Sequence, residues 1–289
     1  MALLETQNLT YVYGEGTPFR IAALQGVNIS VEEGELVGII GHTGSGKSTL
    51  VQHLNGLLKP TSGKVLLNGE DIHASKAATR AARFKVGLCF QYPEYQLFES
   101  TVYRDISFGP RNMGLSEAQI KEHVLHAAEF VGVKREWMEK SPFDLSGGEK
   151  RRVAIAGVMA MEPEILILDE PAAGLDPRGR ARITQMIENY RLSTGKTVII
   201  VSHSMDDIAE IASKVIVMHN GTPVLTGAVQ SVFENAEKLA SIGLDVPQLT
   251  RIFLRLKAAG VDVRTDIYTL PEAKRELLRL MRERGVRND

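Results

Sequence analysis

The run Gly41-His42-Thr43-Gly44-Ser45-Gly46-Lys47-Ser48-Thr49 sets what is expected on either side of it. It fits G-x-x-x-x-G-K-[ST], the pattern of a loop that cradles phosphate groups. Upstream, Leu36-Val37-Gly38-Ile39-Ile40 predicts a short buried strand. Downstream, Leu50, Val51, Leu54, Leu57 and Leu58 follow helical spacing and predict a helix over 48–58. Glycines let the backbone approach a ligand closely. Successive N–H groups then converge on an anion, and a helix N-terminus adds about half a positive charge. Lys47 is expected to reach the β- and γ-phosphates of a nucleotide, and the Ser48 hydroxyl to ligate Mg2+.

Working outward, residues 3–12 and 20–32 read as strands. Tyr13, at the end of the first, either stacks on a purine or packs on the sheet edge. Lys64–Gly69 reads as a strand ending in an Asn-Gly turn, residues 74–83 as an exposed helix, and 84–90 as a strand ending at Gln91. From Gln91 to Glu162 the character turns helical. Ser116 and Gln119 form a capping box. His123 and His126 are expected on a solvated face, and Trp137 and Met138 as anchors. Leu145-Ser146-Gly147-Gly148-Glu149 opens a helix expected to run to Met161, with Ser146 as N-cap. Its two glycines offer a second set of bare N–H groups to an anion.

Ile165-Leu166-Ile167-Leu168 is apolar without alternation, as in a parallel strand covered on both faces. It ends in Asp169 and Glu170, where ligands bind in open α/β sheets. Asp169 is placed to hold Mg2+, and Glu170 to orient the attacking water. Ala173–Pro177 reads as a turn containing Asp176, leading into a helix to Leu192. Strand 197–201 ends at Ser202-His203, which puts His203 on the same sheet edge as a γ-phosphate sensor. A helix over 205–212 and a hairpin about Asn220-Gly221 follow. After about Thr226 come helices starting at Pro247 and Pro271, ending near Gly260 and Gly285. Arg279, Arg282 and Arg284 crowd the last one; it presents either a solvated face or a subunit interface.

The chain has 289 residues, a net charge of −1 and 44% hydrophobic residues. That bounds it to one large domain or one domain with an appendage, and gives no argument for a nucleic-acid partner. The single cysteine, Cys89, excludes an internal disulfide and reads as a small buried hydrophobe. No signal-peptide pattern is evident at the N-terminus. No apolar run approaches the ~20 residues needed to cross a bilayer, so any membrane role is expected through a partner at the cytoplasmic face.

Taken together, Gly41–Ser48, Gln91, Leu145–Glu149, Asp169-Glu170, Asp176 and His203 resemble the ATP-binding cassette (ABC) ATPases, in that family's order over about residues 1–230. The resemblance implies an α/β P-loop NTPase fold with an antiparallel β subdomain and an α-helical subdomain inserted at about 92–162. A C-terminal helical appendage over 231–289 would serve dimerisation. It assigns Tyr13 to stacking on adenine and Gln91 to contacting Mg2+. Gly41–Thr49, with Ser146, Gly147, Gly148, Glu149 and Asp176, would bind ATP between two subunits, the Ser146-Gly147-Gly148 helix end facing the γ-phosphate on the partner's P-loop, and Lys47, Glu170 and His203 would act in its hydrolysis. More narrowly, Gln91–Glu99 and Phe108-Gly109-Pro110 resemble the ATPase subunits of energy-coupling factor (ECF) importers for vitamins or metal ions, and Gly41-His42-Thr43-Gly44 with Gln52–Gly56 resemble the second of their two paralogues in particular. That implies a second ATPase subunit, heterodimeric by preference, a transmembrane coupling subunit docking near Gln91–Phe98, and a separate substrate-binding membrane subunit. A charge at Leu97 is then expected to uncouple transport. Glu149 stands where many ABC proteins have Gln. A soluble ABC ATPase of DNA repair or translation and a nucleotide-gated scaffold are the alternatives; the short segment before Ser146, the single P-loop and the presence of Glu170 and His203 argue against them.

Overall fold

The strands form two sheets whose facing residues share one core; a computed structural model describes residues 2–283. Strands β1 (Leu4–Tyr13) and β2 (Ile21–Val31) pair antiparallel. β3 (Leu36–Ile40) leads into α1 (Lys47–Leu54), then β4 (Ser62–Leu67) and β5 (Glu70–Asp71) follow. The first sheet runs β2-β1-β4-β5. Its Asn68-Gly69 corner has positive φ at both residues, 53° and 81°, as a two-residue hairpin of right-handed strands demands.

The second sheet is completed by β6 (Val86–Cys89) after α2 (Lys76–Lys85), β7 (Ile165–Asp169), β8 (Thr197–Val201), β9 (Lys214–His219) and β10 (Thr222–Ala228). Its order is β10-β9-β3-β8-β7-β6, parallel except for β10. The strand period of two decides which core each residue joins. Val37, Ile39, Ile165, Ile167, Ile199, Val201 and Ile216 face the first sheet and α1. Leu36, Ile40, Leu166, Leu168, Val198, Ile200, Val215 and Val217 face the helices on the other side. Both faces are covered, which is why these strands read as unbroken apolar runs. Cys89 is buried in this layer, and burial pushes its thiol up to about 12.

The inserted helices are α3 (Val102–Met113), α4 (Glu117–Val131) and α5 (Gly147–Met159). The Ser116–Gln119 capping box forms. Trp137 is buried, with the Lys134 ammonium and the Arg152 guanidinium over its ring at 5.6 and 5.3 Å. α6 (Pro177–Thr194) and α7 (Met205–Ile211) flank β8. α8 (Val229–Phe233), α9 (Ala236–Ser241), α10 (Gln248–Ala258) and α11 (Leu270–Glu283) close the described chain. Val229, Phe233, Leu239, Leu244 and Val246 join the main core. Phe253, Val263, Ile267 and Ala273 form a small core of their own between α10 and α11. Arg284 and the Gly285 stop lie outside the described residues.

Several boundaries differ from expectation. α1 ends at Leu54, not Leu58, because Gly56 takes φ 72° and the Asn55 amide donates to the Val86 carbonyl. Phe84 and Lys85 belong to α2, whose Arg83 guanidinium donates to the Gly56 carbonyl at 2.9 Å. His123 is not on a solvated face: its Nδ1 donates to the Ala160 carbonyl at 2.9 Å and its ring lies beside Glu162. His126 is exposed as expected.

Candidate functional site

The carboxyl ends of β3, β7 and β8 are adjacent in the sheet, so the segments that follow them meet at one edge. They enclose a cleft of about 820 Å³ lined by Gly41–Gly44, Gly46–Thr49, Gln91, Asp169, Glu170 and His203. Tyr13 and the first residues of β2 also line it. Pockets of this order hold a small molecule of nucleotide size.

The loop after β3 needs its glycines. Gly41 has φ 154°, and a Cβ there would collide with the Met218 carbonyl and lie 2.6 Å from Ser45 Oγ. Lys47 opens α1 and folds back, donating from Nζ to the Gly41 and His42 carbonyls at 2.7 and 3.0 Å. Burial lowers its pKa, against the opposing pull of the Glu170 and Asp169 carboxylates. Ser45 Oγ is buried without a hydrogen-bond partner among the described residues. A buried ammonium beside a crowded glycine loop fits a polyanion seated on the backbone.

Asp169 ends β7 almost fully buried. Burial raises its pKa, and Glu170 adds to this; a hydrogen bond from the Ser48 hydroxyl and the Lys47 charge pull the other way. A hydroxyl and an under-compensated carboxylate face each other here, a donor set suited to Mg2+ that also takes phosphate oxygens and waters. Among the described residues no group of three or more His, Cys, Asp or Glu assembles into a metal cage. Glu170 sits at φ 52°, a strained position for a non-glycine residue. Its N–H donates to the Val201 carbonyl at 2.9 Å, and its Oε2 is 2.8 Å from His203 Nδ1. The Glu170 carboxylate is largely covered, whereas the His203 ring is 73% exposed. Tyr13 is half exposed, edge-on to Tyr11 at 4.8 Å, with its hydroxyl 3.4 Å from Thr49 Oγ1.

Five expected binding residues lie away from this cleft. Ser146, Gly147 and Gly148 are exposed at the start of α5, and Asp176 caps α6 by accepting from Gly179 N at 2.7 Å. Glu149 Oε2 accepts from the Ser146 N–H and hydroxyl at 2.8 and 2.7 Å, which lowers the Glu149 pKa. The carboxylate thus takes over the reciprocal helix cap that Gln would make. Leu97 is also misjudged: it is 8% exposed, while Tyr92, Tyr95 and Phe98 around it project to the surface.

Sequence reading missed a buried pair. Arg151 Nε and Nη2 donate to the two Glu94 oxygens at 3.1 and 2.8 Å, and Nη1 donates to the Ala173 carbonyl at 2.7 Å. It joins α5, the turn after Gln91 and the segment after Glu170. Arg151 lies within the charged run Glu149–Arg152, so nothing in the local sequence marked it as the buried member. Gly243 and Leu244 also line the cleft wall, from a region read as an appendage.

Residues 24–173 match the ABC transporter family model. The energy-coupling factor transporter ATP-binding protein EcfA2 of Caldanaerobacter subterraneus is 53% identical over 285 residues, 99% of each chain. That of Clostridium perfringens is 52% identical over 96% of this chain and 98% of its own. Among solved structures, cbiO1 from Clostridium perfringens, described as part of the ABC transporter complex cbiONQ, superposes with TM-score 0.74 at 39% identity, covering 90% of this chain and 97% of that one. A dimeric ATP-binding cassette in a post-hydrolysis state bound to ADP and Pi superposes with TM-score 0.71 at 27% identity, covering 78% and 98%. With the cleft geometry, these likenesses lead to one conclusion: the chain belongs to the ABC transporter family, among its energy-coupling factor ATP-binding proteins.

Proposed function

We propose that this chain is the ATP-binding and hydrolysing subunit of an ECF-type importer for a vitamin or metal ion, and works as a peripheral protein on the cytoplasmic face of the membrane. None of the helices in the described residues is long and apolar enough to cross a membrane, so the membrane path belongs to partners. One observation carries the reading. The loop Gly41–Thr49, Asp169, Glu170 and His203 converge on one cleft, while the anion-ready start of α5 at Ser146–Gly148 stands exposed elsewhere. Each half suits phosphate and neither is complete alone. ATP bound between two subunits would use the loop of one and the α5 start of the other.

In this mechanism the loop N–H groups, the N-terminus of α1 and Lys47 hold the β- and γ-phosphates. Tyr13 stacks on the adenine. Mg2+, held by Ser48, Asp169 and Gln91, would offset charge on the phosphates. Glu170 orients the attacking water and accepts its proton, and His203, already hydrogen-bonded to that carboxylate, contacts the γ-phosphate. Loss of the γ-phosphate removes the group that favours the closed pair, so the subunits part. The exposed Tyr92–Phe98 segment would carry that motion to a transmembrane coupling subunit. The appendage over 231–289 would keep two ATPase subunits together; Leu270, Leu277 and Met281 of α11 leave apolar surface exposed for it. Glu170→Gln is expected to keep ATP affinity, to slow hydrolysis by about 10²–10⁴-fold and to accumulate the closed pair. Near-normal phosphate release by the variant in the assembled transporter would rule Glu170 out as the catalytic carboxylate.

A further inference from the structure

The two-residue turn between β9 and β10 packs behind the phosphate loop. Asn220 and Gly221 have φ 47° and 76°, the type I′ geometry that suits Asn-Gly. Gly221 N donates to the Ser45 carbonyl at 3.0 Å, and Gln25 N donates to the Gly221 carbonyl at 3.0 Å. Gln25 Nε2 adds a bond to the Asn220 carbonyl at 3.1 Å. On this brace the His219 ring meets His42 of the loop edge-on, with centroids 5.1 Å apart.

Three contacts assign the ring protons by their hydrogen-bonding roles, given an Asn220 amide that turns its nitrogen toward His219. His42 Nδ1 is 2.8 Å from the Thr43 carbonyl, which only accepts, so His42 Nδ1 carries a hydrogen. Asn220 Nδ2, which only donates, is 3.1 Å from His219 Nε2, so His219 Nε2 is bare. A neutral imidazole has one donor and one acceptor. His219 Nδ1 must then donate to His42 Nε2, 3.1 Å away. The result is one directed chain, Asn220 to His219 to His42 to the Thr43 carbonyl, with both rings neutral and every partner satisfied.

The chain ends on a peptide group that matters. A trans peptide is planar, so its C=O and the following N–H point in opposite directions. Pinning the Thr43 carbonyl therefore orients the N–H of Gly44, and Gly44 lines the cleft. We infer that His219 is a positioning residue for the nucleotide: it fixes the His42 tautomer that holds the Thr43 carbonyl and so aims the Gly44 N–H at the phosphates. The inference rests on reading the Gly41–Thr49 loop as the ATP site.

The test uses the full chain labelled with ¹⁵N-histidine, and ATP kinetics of the assembled transporter. At neutral pH the spectrum is expected to show His42 and His219 as neutral rings protonated at Nδ1. His219→Ala is expected to release His42 into a mixture of tautomers. It should raise the KM for ATP about three- to tenfold, as for partial loss of one charge-assisted hydrogen bond, with kcat within about twofold. His219→Asn places an amide N–H where Nδ1–H stood and should restore both signals. Asn220→Gly keeps the turn but removes the first donor, and should raise KM in the same direction. A His42 imidazolium signal overturns the inference. So does an unchanged KM in His219→Ala, or an Asn variant that folds but does not rescue. If His219→Ala does not fold, the Asn and Gly variants decide. Lys47→Ala serves as the control: loss of ATP binding there beside an unchanged His219→Ala defeats only this inference, whereas ATP binding retained in Lys47→Ala defeats the reading of the loop itself.

Discussion

Asp169 illustrates a residue kept at a cost to the empty protein. It is a buried carboxylate whose pKa is raised first by loss of water and next by Glu170. The folded chain therefore holds its proton more tightly than the unfolded chain does. The stability linked to that group is fully present below the ordinary carboxylate pKa of 3.8 and is lost as pH rises through the folded value. At neutral pH the ionised group opposes folding of the unliganded protein. Asp169→Asn should raise the melting temperature of the apo chain in chelator, by about 1–2 kcal/mol of stability, with the gain disappearing in acid. The same variant should lose Mg2+-dependent hydrolysis. A lower apo melting temperature at neutral pH would contradict the assignment of Asp169 as an under-compensated charge.

At the scale of elements, two predictions concern the turn that links the cleft to the surface. Leu97 is packed in the main core, so Leu97→Asp should destabilise the fold broadly, by about 3 kcal/mol or more. Tyr95 is 85% exposed, so Tyr95→Asp should leave melting and basal ATPase near wild type while abolishing uptake. Normal uptake by Tyr95→Asp would refute docking at this turn. Arg151 is almost fully buried against Glu94, and removing one member of a buried pair strands the other. Arg151→Met should cost about 3–5 kcal/mol and, where the protein survives, loosen the link between ATPase and uptake; an unchanged melting temperature would show that the pair is not a latch. What was legible in the sequence divides along the same line. β3, β7, β8 and β9 were readable because a strand buried on both faces must be apolar throughout. Tyr95 and Leu97 could not be told apart, since a short non-periodic turn does not reveal which apolar residue points inward. The end of α1 was hidden because Leu57 and Leu58 continue the helical spacing past the glycine that stops it. Glu94 and Arg151 are 57 residues apart, and no local pattern announces such a pair. The residues lining the cleft were readable because each ends a strand or opens a helix. Gly243 and Leu244 were not, since nothing local signals that the chain returns there.

The molecule as a whole has phosphate-ready surfaces in two places. The Gly41–Thr49 cleft supplies a loop, a lysine and two carboxylates. The start of α5 supplies exposed N–H groups at Gly147 and Gly148, where even an added Cβ would meet nothing within 4 Å. On the proposed account the second surface acts on nucleotide held by another chain, and exposure in the single chain is what such a role requires. Sequence pattern located both surfaces, and the family resemblance implied that they meet only across two subunits; the sheet order and the insertion of α3–α5 between β6 and β7 are what hold them apart in one chain. The most direct measurement is the structure of the assembled transporter carrying Glu170→Gln with ATP bound. The account predicts each nucleotide between two ATPase chains, with the Gly41–Thr49 loop of one and the Ser146–Gly148 helix start of the other on the γ-phosphate. Nucleotide enclosed by one chain alone, with Ser146–Gly148 still facing solvent, would contradict it.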